Sequence, residues 1–283
     1  MPDPVRVLDI DERYLLRILS DCLAIPSPTG YTDTVVRAIC AELEKLQIPY
    51  ELTRRGAIRA TLAGQSESPA RAVVGHLDTL GAMVMSLKPT GRLEIVPIGT
   101  WSARFAEGAR VTIMTSQGPR RGSILPLKAA GHTFDKEVDE LPIKWGNVEL
   151  RVDESVEGAD DLRRLGFDVG DFVAIDPCPE FFDNGFIVSR HLDDKAGVAA
   201  MLAAAKALGS QERALPVTCH LLFTISEETG SGASAVLHGD VSELWSVDSA
   251  PVAPGQNSSE RHVTIANADS TGPFDFHLTQ RLR

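Results

Sequence analysis

Three short apolar runs each end in residues that bind metals or move protons. They are Ala72-Val73-Val74-Gly75-His76-Leu77-Asp78, Leu221-Leu222-Phe223-Thr224-Ile225-Ser226-Glu227-Glu228 and Leu244-Trp245-Ser246-Val247-Asp248. Apolar runs of this length, bounded by turn residues, read as buried parallel strands. In open α/β sheets, ligands bind beyond the carboxyl ends of the strands. All three runs carry their His, Glu or Asp at that end, where one site can gather them.

A fourth stretch, Ser189-Arg190-His191-Leu192-Asp193-Asp194-Lys195-Ala196-Gly197, places two adjacent carboxylates before an Ala-rich run from Ala196 to Leu208. That run has good helix propensity. Taken alone, the pair can also be read as a capped helix start, because carboxylates there are favoured by the helix dipole. Upstream, Leu15, Leu16, Ile18, Leu19 and Leu23 predict a helix over Asp11 to Leu23, and Val35, Val36, Ile39, Leu43 and Leu46 predict another over Thr32 to Leu46. Strands are expected at Tyr50–Thr53 and Ala57–Leu62, and a polar loop from Gly64 to Ala70.

Between about Leu87 and Asp176 the pattern changes to short β-like runs: Leu93–Ile98, Arg110–Thr115, Arg121–Leu125, Val148–Val152 and Phe172–Ile175. Gly, Pro and Asp punctuate them, and Asp160 to Leu165 reads as a short helix. This spacing predicts a small barrel or sandwich rather than βαβ units. The expected organisation is α/β, with a mixed, largely parallel sheet flanked by helices, formed by residues 1–86 and 177–283. A β-barrel domain, 87–176, is inserted in it. Further expectations are a helix from Ser231 to Leu237, a strand from Arg261 to Asn267 and a short helix from Pro273 to Arg281.

The formal net charge of −11 over 283 residues argues against nucleic acid or an anionic membrane as the main partner. No stretch approaches the roughly 20 apolar residues of a membrane span, and Met1 to Asp11 has no apolar signal core. Cys22, Cys40, Cys178 and Cys219 are scattered without a C-x-x-C pair, which predicts buried free thiols and a cytoplasmic protein.

In His76-Leu77-Asp78 the imidazole can bind a metal while the Asp accepts its other N–H or holds the loop; a structural His is the other reading. Two glutamates at a buried strand end are costly without a cation or a proton. One of the pair can ligate while its neighbour works as a general base on a water; a solvated loop start is the alternative. Asp193 can bridge two metals, and Asp248 can supply a terminal carboxylate. One His with several carboxylates suits Zn, Co or Mn better than a closed structural zinc site.

In order along the chain, His76-x-Asp78, Leu192-Asp193-Asp194-Lys195-Ala196-Gly197, Ser226-Glu227-Glu228-x-Gly230 and Val247-Asp248 resemble the motifs of the co-catalytic metallo-aminopeptidases. The group is that of the tetrahedral and glutamyl aminopeptidases, and the fold implied is zinc-peptidase-like. The loops Ile98-Gly99-Thr100-Trp101 and Gly131-His132 are similar to family loops. The run Val252–Glu260 resembles a subgroup encoded beside synthesis genes for an N-acetylated glutamine dipeptide amide osmoprotectant. The resemblance implies two divalent metal ions, with His76 and Glu228 on one, Asp193 bridging and Asp248 on the second. It implies Glu227 as general base and Asp78 as the residue orienting His76. The expected reaction is hydrolysis of N-terminal peptide bonds, and the inserted β domain would assemble dimers up to dodecamers. The family pattern continues into a further strand, helix and His ligand that this chain is expected to lack, with His262 and His277 as substitutes to consider. A deacylase of small acylated dipeptide amides, or an inactive scaffold subunit, are the alternatives.

Overall fold

The computed structural model describes residues 8–211 and 214–283; most of the Met1–Asp11 stretch read above lies outside the described residues. Two helices come first, α1 (Glu12–Ala24) and α2 (Asp33–Lys45). Asp11 caps α1 by accepting from the Tyr14 N–H. Strands β1 (Tyr50–Leu52), β2 (Ile58–Leu62) and β3 (Gly64–His76) follow. The polar loop expected at Gly64 to Ala70 is instead the start of β3. Its backbone pairs in parallel with a later strand, Gly64 opposite Leu215 and Ser66 opposite Val217, while its polar side chains stay exposed. Backbone pairing here overrides an unfavourable composition.

The chain then leaves the sheet. Strands β4 (Gly81–Leu87), β5 (Arg92–Ile98), β6 (Arg110–Thr115) and β7 (Gly118–Pro126) precede two one-turn helices, α3 (Gly131–Phe134) and α4 (Glu137–Glu140). Strand β8 (Val148–Val152), helix α5 (Ala159–Arg164) and strand β9 (Phe172–Ile175) complete the excursion. The six strands close into an antiparallel barrel in the order β4-β5-β8-β7-β6-β9. Alternate residues point inward, so Val111 and Ile113, Val148, Leu150 and Val152, and Val173 and Ile175 share one core.

A short exposed hairpin, β10 (Glu180–Phe181) and β11 (Ile187–Val188), leads to α6 (Leu192–Gly209). Asp193 and Asp194 are not helical, so the regular helix begins at Lys195. After it come β12 (Leu215–Thr224), β13 (Val241–Ser246), the two-residue strands β14 (Ala268–Asp269) and β15 (Gly272–Pro273), and α7 (Phe276–Leu282). The main sheet has the order β1-β2-β12-β3-β13. Strand β12 runs antiparallel to β2 and parallel to β3, and β13 runs parallel to β3. Helices α1, α2 and α6 cover one face over the larger core, which includes Val35, Leu43, Ile58, Val198, Leu202 and Phe223.

Three further expectations need correcting. Ser231–Leu237 holds only a 3-10 turn, Ala233–Ala235, where a helix was expected. Arg261–Asn267 is irregular rather than a strand: it pairs with no strand among the described residues, and Val263 is 94% exposed. Cys178 is exposed, whereas Cys22 and Cys40 are buried; all four thiols are free. Among the described residues no helix is long and apolar enough to cross a membrane.

Candidate metal centre

The carboxyl ends of β3, β12 and β13 lie side by side, and the start of α6 approaches them. The barrel is inserted between β3 and α6, so its two connections flank the same place. Arg190 Nη1 donates to the Phe105 carbonyl at 2.7 Å, and the rings of Tyr31 and Phe172 are 5.7 Å apart. These contacts tie the barrel to the segment before α6 and to the α1–α2 connection.

His76 ends β3 and is 2% exposed. Its Nδ1 lies 2.8 Å from the Asp78 backbone carbonyl. A carbonyl only accepts, so Nδ1 carries the proton and Nε2 faces the other way. There Nε2 is 2.8 Å from Asp193 Oδ1 and 3.8 Å from Glu227 Oε2. His76, Asp193 and Asp248 each offer a ligand atom within 4.8 Å of the others. The Ser249 hydroxyl donates to Asp193 Oδ2 at 2.9 Å.

Asp78 is fully buried and works on its neighbours. Its carboxylate accepts from the Glu227 and Glu228 backbone N–H groups at 3.2 and 3.3 Å, and from the Thr29 hydroxyl at 2.7 Å. It therefore fixes the 3-10 turn Glu227–Thr229, while its own carbonyl sets the imidazole. Gly230 ends that turn at φ +83°, a conformation that suits glycine. Glu228 directs Oε1 to the Leu80 N–H at 3.1 Å and stands outside the three-residue cluster, whereas Glu227 is the glutamate nearer His76.

The stretch Asp193–Gly197 holds residues that pattern reading passed over. Asp194 is 2% exposed and accepts the His76 backbone N–H at 3.1 Å. Its carboxylate is cradled by two glycines: a Cβ at Gly75 would meet Oδ2 at 2.6 Å, and one at Gly197 would meet Oδ1 at 2.1 Å. The D-x-x-G spacing was the available signal, since only glycine leaves room for the carboxylate to fold back. Lys195 is likewise buried, and burial pushes its ammonium down to about 8. His191 adopts φ +64° and turns away from the cluster, donating from Nε2 to the Ile175 carbonyl at 3.0 Å. Burial lowers it to about 4, so it stays neutral. His262 and His277 are exposed and outside the cluster, His262 beside Ser259 and His277 against the Phe276 ring.

The crowded acids perturb one another. Burial raises Asp194 and Glu228 to about 7, and neighbouring carboxylates add to the effect in both. Asp248 is raised by burial and by Asp193, and Glu227 by burial and then by Asp248, Asp78 and Asp193. Asp193 is lowered, chiefly by its bond to His76. Burial disfavours a charged His76, yet the Asp193 bond and the surrounding carboxylates raise it to about 10. Six acids around one imidazole hold positive charge avidly, and a divalent ion would compete with that proton. One His with carboxylates is a donor set that fits Zn, Co or Mn.

This chain belongs to the M42 glutamyl aminopeptidase family, whose model matches residues 56–283. The family is one of hydrolases. The aminopeptidase-named protein YhfE of Bacillus subtilis is 35% identical over 271 residues, covering 95% of this chain and 78% of YhfE. The glutamyl aminopeptidase of Lactococcus lactis is 26% identical, covering 73% of this chain and 58% of that enzyme. The chain thus spans less than two thirds of that relative's length. Among solved structures, the TET1 peptidase of Pyrococcus horikoshii, described as assembling into a tetrahedron or a large octahedral shell, superposes with a TM-score of 0.79 at 21% identity, covering 95% of this chain and 79% of that one. A TET aminopeptidase from a marine-sediment thaumarchaeon gives 0.77 at 21% identity, covering 87% and 68%. These two likenesses establish the fold.

Proposed function

We propose that this protein is a metal-dependent aminopeptidase that removes N-terminal residues from peptides, using two divalent ions. The observation that carries the reading is the convergence of His76, Asp193 and Asp248 within 4.8 Å, with Glu227 Oε2 3.8 Å from His76 Nε2. In this reading His76, Glu228, Asp193 and Asp248 would hold the two ions, with Asp193 shared between them. Bound ions would polarise the scissile carbonyl and acidify the attacking water. Glu227 takes the proton of that water and returns it to the leaving amine. Its half-exposed carboxylate is raised by burial and by its acidic neighbours, which makes it a better proton acceptor. Asp78 holds the Glu227–Thr229 turn and, through its carbonyl, the His76 ring, so the base and one ligand are set by one buried residue. The barrel formed by β4 to β9 would serve assembly into homo-oligomers; the TET1 peptidase of Pyrococcus horikoshii can assemble into a tetrahedron or a large octahedral shell. Four free thiols suit a cytoplasmic setting.

The test is a panel of aminoacyl-anilides and N-acetyl dipeptide amides, each with added Zn, Co or Mn and with chelator. The reading expects the unblocked substrates to be cleaved and chelator to stop the reaction. Cleavage of the blocked amides alone would replace it with a deacylase. No turnover and no metal uptake would leave a scaffold subunit.

A further inference from the structure

Lys195 is 1% exposed, yet both groups its ammonium contacts are neutral oxygens. Nζ donates to the Ser27 hydroxyl at 2.6 Å and to the Leu77 carbonyl at 2.8 Å. The Ser27 hydroxyl itself donates to that carbonyl at 2.8 Å, and the Ser27 carbonyl accepts the Thr79 N–H at 2.9 Å. Ser27 and Leu77 are as buried as the lysine. Desolvating an ammonium costs several kcal/mol. A methionine would fill the same space without that penalty, so packing does not account for a lysine here. The location does. Leu77 is the residue between His76 and Asp78, and Lys195 follows Asp193 and Asp194 at the first regular turn of α6.

We infer that Lys195 is a positioning residue of the metal centre, a buried cation that clamps the His76–Asp78 segment to the helix start carrying Asp193. This rests on the metal-peptidase reading above. The clamp fixes the two ligand-bearing segments from behind, where His76 Nε2 and Asp193 Oδ1 stand 2.8 Å apart in front. A cavity of about 220 Å³, lined by Ser27, Thr79, His191 and Lys195 among others, adjoins it and leaves room for a larger cation at this position.

The experiment is cobalt titration of the full chain, with kcat and KM on an aminoacyl-anilide, for wild type, Lys195→Met, Lys195→Arg and Ser27→Ala. Unfolding in chelator first establishes that each variant is folded. Lys195→Met is expected to lose about 10–100-fold in cobalt affinity, the usual cost of removing a group behind a ligand. Its kcat should fall while KM stays within about twofold, because substrate binding is not its task. Lys195→Arg, which keeps charge and donors, should retain most of the affinity, and Ser27→Ala should lose about severalfold. A packing role predicts the reverse order, with methionine tolerated better than arginine. Wild-type affinity and kcat in Lys195→Met, or equal losses in the Met and Arg variants, would overturn the inference and leave the metal-peptidase reading standing. Should Lys195→Met not fold, Ser27→Ala at wild-type affinity would overturn it. A wild-type chain that takes up no cobalt would remove both.

Discussion

At the residue scale, the proposed centre is held by backbone contacts as much as by side chains. Asp194 reaches the His76 N–H only because Gly75 and Gly197 carry no Cβ. Gly197→Ala is therefore expected to push the Asp194 carboxylate aside, at a cost of about 1–3 kcal/mol for overpacking, with turnover falling by about tenfold or more as the bond behind His76 is lost. Urea unfolding and initial rates check this; unchanged stability and rate would show that the helix start adjusts freely. Glu227→Gln makes a contrasting case. Removing the proposed base while leaving the proposed ligands should keep metal and lower kcat by about 10²–10⁴-fold. Loss of metal in that variant would make Glu227 a ligand and shift the assignment by one residue. His76, Asp78, Asp193, Glu227, Glu228 and Asp248 could be picked out from sequence because each lies just beyond an apolar run or at a helix start. Asp194, Lys195 and Ser27 were not legible as parts of the centre, because their importance lies in what they touch across 118 to 168 residues of chain.

At the element scale, helical periodicity was readable because α1 and α2 each bury one stripe, Ile18, Leu19 and Cys22 on the first and Val36, Ile39 and Leu43 on the second. The start of β3 was not readable, since Gly64–Ser66 is held by pairing with β12 rather than by apolar content. The expected helix at Ser231–Leu237 shrank to a single turn for lack of a sustained apolar stripe beyond Val236. Two helices also share a polar tie that no pattern announces. Glu42 on α2 is 5% exposed and accepts from Arg17 of α1 at 2.9 Å and from Lys45 at 2.9 Å. Burial acts to raise its carboxyl, but Lys45 and Arg17 outweigh it and hold it below its ordinary value of 4.5. A group whose folded pKa is depressed stabilises above its unfolded value and loses that contribution as pH falls through the folded one. Glu42→Gln should thus destabilise by about 1–3 kcal/mol at pH 7, and the difference from wild type should close as pH drops below about 4. Thermal melts at the two pH values test it; a difference independent of pH would mean that the glutamine loses shape rather than charge.

At the scale of the whole molecule, the barrel matters through where it is inserted. It departs just after His76–Asp78 and returns, through the β10–β11 hairpin, ahead of Asp193, so closing the barrel brings two segments of distant sequence together at the carboxyl end of β3. That juxtaposition, and the order β1-β2-β12-β3-β13, depend on long-range pairing that local sequence does not encode. The alternation in β6, β8 and β9 marks a barrel or sandwich without distinguishing them, and closure comes from the pairing of β4 with β9. Because the proposed metal ligands come from separate segments and meet only in the native fold, bound metal should stabilise the whole. Zinc at a hundredfold excess over its Kd adds about 2.7 kcal/mol, a rise of about 5 °C or more in Tm for a chain of this size, and chelator should reverse it. A Tm indifferent to zinc would place any bound ion outside the cooperative core.

The central claim is that His76, Asp193, Glu228 and Asp248 form one centre for two ions, with Asp193 between them. Equilibrium dialysis against zinc, followed by elemental analysis of wild type and Asp193→Asn, tests it most directly. Two ions per wild-type chain, both lost or severely weakened in Asp193→Asn, is the predicted result. Zinc uptake absent from the wild type, or unchanged by the substitution, would contradict it.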